Sequence, residues 1–254
     1  MQIVITNDDG WGSKGILCLT RLMLPLGKVT VVAPDSVRSG MSTAISFQRP
    51  ITLRRLTAND ARNDEERALL EQAEVYVTNG TPADCVKLAI NALFDGDDRR
   101  IDMLASGINH GHNASVNLLY SGTMGACLVA AEHQIPSIGF SIDTPQEDVD
   151  LHYFAHFIPQ LTKDILSKYN SDCYNINAPV GELKGIRLTR QAKGHWEKEL
   201  EQHTDPQGNI FYTLTGNYVN HEPDKEDTDM WCLNNGYISV QPVTLDMTDY
   251  DALR

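Results

Sequence analysis

MQIVITNDDGWGSKGILCLTRLMLPLGKVTVVAP, residues 1–34, is the stretch on which the fold turns. MQIVIT is an unbroken apolar run of strand length, and KVTVVAP at 28–34 is another, so both read as strands buried on two faces rather than one. Between them GILCLTRLMLPL at 15–26 carries helical spacing. The unit is therefore strand, helix, strand, and a crossover of this kind is right-handed.

The alternation continues. EVYVTNGTP (74–82) offers a third strand, ADCVKLAINALF (83–94) a helix and IDMLASGIN (101–109) a fourth strand; TMGACLVAAEHQ (123–134) and PSIGFSI (136–142) add another helix and strand. Such repetition predicts an α/β protein, a mostly parallel sheet with helices on both faces. The charged segment 57–73 reads as a surface loop or solvated helix, 150–170 as a helix bent by Pro159, and 185–192 as a strand leaving the core. From Lys193 onward turn-rich segments replace the repeats, so residues 1–192 are expected to form the core. Residues 193–254 are expected to form a hairpin arm and tail whose final strand packs back on the core or on a partner.

Composition narrows the function. A net charge of −13 argues against gripping a nucleic-acid polymer, which needs clustered Lys and Arg. The five cysteines are scattered without a CxxC pair, which suits reduced thiols in a cytoplasm rather than disulfides or structural zinc. No signal-peptide pattern opens the sequence, and no apolar run approaches the roughly 20 residues of a membrane span.

In an open parallel sheet, ligands bind beyond the carboxyl ends of the strands. There lie NDDG after the first strand, PDSVRSGMS after the second, NGTPAD after the third and SGINHGHN after the fourth. Asp8 and Asp9 repel each other, and no Lys or Arg is nearer in sequence than Lys14. A turn with Asx hydrogen bonds would account for them, and so would a cation. The carboxylates, hydroxyls and amides on this rim suit a hard divalent ion such as Mg²⁺ or Mn²⁺. Ser121, Gly122 and Thr123 open an apolar helix, a place for either an ordinary cap or an anion.

NDDG, APDxxRSGxS, GTPADCV, SGINxGxN, YSGTMGA and GYISVQP, in this order from residue 3 to about 243, resemble the SurE family of metal-dependent nucleoside monophosphate phosphatases. The resemblance implies a Rossmann-like core and one divalent metal ion per subunit, held by Asp8, Asp9, Ser39 and Asn109. It also implies phosphate binding around Gly40, Ser121, Gly122 and Thr123, and a hairpin and tail used to form a homodimer or homotetramer. Family members act on 5′- and often 3′-nucleotides, and some cleave short polyphosphate. The sequence departs from the family at WGSKG (11–15), at His110 and His112, and at MWCLNNGYISV (230–240), which bears on substrate preference more than on metal binding.

Hydrolysis would proceed by in-line attack of a water, with Asp8 and Asp9 as the catalytic carboxylates; either could accept its proton. A histidine, His110 or His112, would protonate the leaving group if it is more than a loop residue. Tyr212, Tyr218, Trp231 and the 43–50 loop are candidates for the base pocket. A zinc deacetylase usually has a histidine just before its acid pair, where Thr6 and Asn7 stand here, and an aspartyl-phosphate enzyme needs its aspartates separated by one residue. A receiver switch would end its third strand in aspartate, where NGTP stands. The alternative that survives is a nucleotide sensor without turnover.

Overall fold

The computed structural model describes residues 1–146, 148–168 and 171–253. Strands β1 (Gln2–Thr6) and β2 (Lys28–Pro34) pair in parallel, with Ile3 opposite Val29. Helix α1 (Lys14–Met23) crosses between them; it starts where the Ser13 side chain accepts the Ile16 N–H. It stops short of the predicted residue 26 because Pro25 tightens the chain into a 3₁₀ turn.

The chain continues through β3 (Arg54–Arg55), α2 (Asp64–Gln72), β4 (Glu74–Thr78), α3 (Pro82–Leu88), β5 (Met103–His110) and α4 (Gly122–Glu132). Then come β6 (Ser137–Ile142), α5 (His152–Ala155), α6 (Ile158–Lys168), β7 (Cys173–Ala178) and β8 (Gly185–Leu188). The last section holds β9 (Gly194–Glu197), β10 (Leu200–Thr204), β11 (Ile210–Leu214), β12 (Asn217–Asn220), α7 (Asp229–Asn234) and β13 (Tyr237–Val243).

Among the described residues nine strands form one sheet, in the order β3-β4-β2-β1-β5-β6-β7-β13-β8. The six from β4 to β7 are parallel; β3 and β13 run antiparallel to β4 and β7. The chain builds outward from β1 to β4, then returns to lay β5 on the other side of β1. Strand order therefore reverses between β1 and β5, which opens a crevice at their carboxyl ends.

Helices cover both faces, as the unbroken apolar strands required. Ile3 and Ile5 of β1 face a cluster with Ile16, Leu19 and Met23 of α1 and Phe154, Ile158 and Leu161 of α5 and α6. Val4 faces the opposite cluster with Val86 of α3 and Met124, Cys127 and Ala130 of α4. No helix among the described residues is long and apolar enough to cross a membrane.

Three local expectations need correction. Segment 57–73 is not simply solvated: Leu69 of α2 joins the core, and buried Glu66 accepts two hydrogen bonds from the Arg62 guanidinium. The bend expected at Pro159 is a full break: α5 ends at Ala155, and α6 begins at Ile158 with Pro159 in its first turn, where its missing N–H is not needed. Positions 169–170 of that expected helix lie outside the described residues. The 185–192 strand stays in the sheet, where β8 pairs in parallel with β13. Between β8 and β13 the chain makes two small antiparallel pairs, β12 with β9 and β10 with β11.

Candidate active site

β1 delivers Asn7, Asp8 and Asp9 directly into the crevice. Buried Asn7 ties the turn together, its Nδ2 donating to the Gly10 carbonyl and to Ser13 Oγ, both at 2.9 Å. The Arg38 backbone N–H donates to the Asp8 carbonyl at 2.6 Å and so brings the following Ser39 and Gly40 alongside the carboxylates. Asn109 arrives from β5, whose register against β6 shifts between Ser106 and Asn109 and re-aims the strand end. Its Nδ2 donates to the Gly111 carbonyl at 2.6 Å, which leaves Oδ1 as the free end of the amide.

The start of α4 closes the other side. Ser121 caps the helix by accepting the Met124 N–H at 3.0 Å, and buried Thr123 donates its hydroxyl to Asp8 Oδ1 at 2.6 Å. A Cβ added at Gly122 would lie 3.0 Å from both Asp8 Cβ and Oδ2, so this close approach requires glycine.

All eight predicted site residues thus come together. Asp8, Ser39, Gly40, Asn109 and Ser121 line one cavity of about 210 Å³; Gly122 and Thr123 back Asp8. Asp9 and Ser39 line an adjoining cavity of about 510 Å³ that also holds Trp11, Lys14 and Arg62.

Asp8 is 4 % exposed, and burial, helped by the nearby Asp9 charge, pushes its carboxyl from the ordinary 3.8 up to about 6 despite the Thr123 hydrogen bond. Asp9 Oδ2 and Asn7 Oδ1 are buried atoms with no hydrogen-bond partner among the described residues. Acceptors left this way cost free energy unless something positive meets them. Asp8, Asp9, Ser39 and Asn109 could hold a cation with oxygens alone.

His110 is nearly buried with Nδ1 3.9 Å from Asp9 Oδ2, and its Nε2 has no partner. His112 instead accepts the Ala114 N–H through Nδ1, a loop contact. The expected base-pocket aromatics lie elsewhere. Tyr212 is exposed on β11, Tyr218 donates to Ser115 Oγ, and Trp231 stacks on Tyr237; none lines either cavity. Asn117 and Tyr120 do line the smaller one. Sequence reading passed over both, although Tyr120 directly precedes the helix cap.

Fold and site together define a doubly wound α/β protein with paired carboxylates and a helix N-terminus at the topological switch point. The family described as Survival protein SurE matches residues 3–198, and the chain belongs to the SurE family. A relative from Flavobacterium psychrophilum named 5′-nucleotidase SurE is 41% identical over 99% of this chain and 95% of its own length. One of the same name from Christiangramia forsetii is 40% identical over 99% and 94%. The crystal structure of the SurE protein from Aquifex aeolicus superposes with a TM-score of 0.80 at 31% identity, covering 100% of this chain and 97% of that one.

Proposed function

We propose that this protein is a divalent-metal-dependent phosphatase that hydrolyses nucleoside 5′-monophosphates to nucleoside and phosphate, with 3′-monophosphates and short polyphosphate as further substrates. The observation that carries it is buried Asp8, which accepts a hydrogen bond from Thr123 at the start of α4, beside half-buried Asp9, whose Oδ2 has no hydrogen-bond partner among the described residues. The names of relatives about 40% identical over nearly the whole chain support the nucleotidase reading.

The all-oxygen donors fit a hard ion such as Mg²⁺ or Mn²⁺, held by Asp8, Asp9, Ser39 and Asn109. When bound, such an ion neutralises phosphate charge and acidifies water. The chain does the positioning. Thr123 holds Asp8 Oδ1, which leaves the other carboxylate oxygen for the ion. The Ser121 hydroxyl accepts from Met124, so its own hydrogen is free to donate to a phosphate oxygen beside Gly40 and the first amides of α4. His110, beside Asp9 and buried but for its edge, is better placed than His112 to pass a proton. A homodimer or homotetramer would cover the exposed Ile210, Phe211 and Tyr212 of the arm.

The test is phosphate release from 5′- and 3′-nucleotides, polyphosphate and an aryl phosphate by chelator-stripped protein, before and after Mg²⁺ or Mn²⁺. Activity should appear only with metal and vanish in Asp8→Asn. Equal rates with and without chelator would refute the metal, and no release from any substrate would favour the sensor.

A further inference from the structure

We propose that Trp196 and Tyr120 form the nucleobase subsite, in a cleft between the core and the arm; this rests on the phosphatase reading above. The cleft has a volume of about 530 Å³, within the usual range for small-molecule sites. It shares Asn117 and Tyr120 with the cavity that carries Asp8 and Ser121, so a ligand seated on the phosphate side can continue into it.

Trp196 is held ready for stacking. Its Nε1 donates to Asn117 Oδ1 at 2.9 Å, and its ring meets Tyr218 edge-on at 6.0 Å. Tyr218 in turn is anchored to Ser115 at 2.6 Å. Gly216, with φ of 135°, lies so close that an added Cβ would be 3.2 Å from the indole Cε3. A flat surface immobilised before binding loses little entropy when a base stacks on it.

Charge and competing surfaces point the same way. Among the described residues the cleft walls include no lysine or arginine, and Glu199 is there as an acceptor, which suits the donors on a base edge and not a second phosphate. The other tryptophans are occupied: Arg62 lies 4.8 Å over Trp11, and Trp231 has Arg187 over its ring and Tyr237 stacked beside it. The cavity beside Asp9 holds Lys14 and Arg62, so it suits an anionic extension better than a base.

The experiment compares AMP with ribose 5-phosphate, which lacks only the base, in wild type, Trp196→Ala, Trp196→Phe and Tyr120→Ala, with thermal melts confirming the fold. The wild type should favour AMP, and Trp196→Ala should cut the AMP to ribose 5-phosphate ratio of kcat/KM about tenfold or more through KM, while Trp196→Phe retains most of it. Adenosine binding by calorimetry, which needs no turnover, should weaken by a similar factor. An unchanged ratio in Trp196→Ala, or unaltered adenosine affinity, would overturn the subsite. Failure of the wild type to release phosphate from either ester would overturn the hydrolase instead, with the adenosine measurement still deciding the subsite.

Discussion

Asp8→Asn should make the metal-free protein more stable while abolishing its activity. Burial raises the Asp8 carboxyl from 3.8 to about 6, so the folded chain holds its proton more tightly than the unfolded chain does. The penalty for ionising it is absent below the unfolded value, grows as pH rises between the two, and is complete above about 6. At about 1.4 kcal/mol per pH unit, it reaches about 3 kcal/mol at pH 7.5 and only about 1 kcal/mol at pH 4.5. Asparagine mimics the protonated carboxyl and still accepts from Thr123. In chelator at pH 7.5 the variant should therefore melt about 6 °C higher, at roughly 2 °C per kcal/mol for a chain of this length. The difference should shrink to about 2 °C at pH 4.5. Added Mn²⁺ should reverse the order: at about 1,000 times its Kd it stabilises the wild type by about 4.1 kcal/mol, more than the gap of about 3 kcal/mol, and the variant by much less. Scanning calorimetry at the two pH values, with chelator and with Mn²⁺, measures all of this. A variant that melts no higher than wild type in chelator at pH 7.5 would refute the claim that Asp8 is strained by burial, and with it the physical reason for a cation.

Two further substitutions probe the supports. Thr123→Val keeps the shape but removes the donor to Asp8 Oδ1, and should weaken Mn²⁺ binding by about 10- to 100-fold in calorimetric titration with the fold intact. Asp229, fully buried, accepts the N–H groups of Ser115, Ala192 and Met230 and joins the site loop to the base of the arm. Asp229→Ala should cost about 3 kcal/mol, seen as a lower urea midpoint at unchanged slope.

Sequence reading identified the layers because unbroken runs such as KVTVVAP suit only strands buried on both faces. Segment 57–73 is largely the solvated helix its charges predict; its buried Glu66 was not legible, because it counts as a surface charge until Arg62 is seen folding over it. Sequence reading missed β8 as a sheet member because β13, which joins that strand to the sheet, comes some fifty residues later. At the site, the acid pair and the SGT cap stood out as local patterns. That Trp196 lines a cavity together with Tyr120 was not legible, since an aromatic among arm residues carries no local mark of its tertiary neighbours.

What the residues alone determined is whatever short-range physics controls: strand and helix identity, the paired carboxylates at a strand end and the cap that begins α4. The tertiary structure alone decided how these meet. The order of the strands puts Asp8 against Gly122 and Thr123, more than a hundred residues away, and buries it there. Burial is a property of the packed chain, and it turns the first of two adjacent acids in a turn into a carboxyl whose charge costs free energy unless something positive meets it.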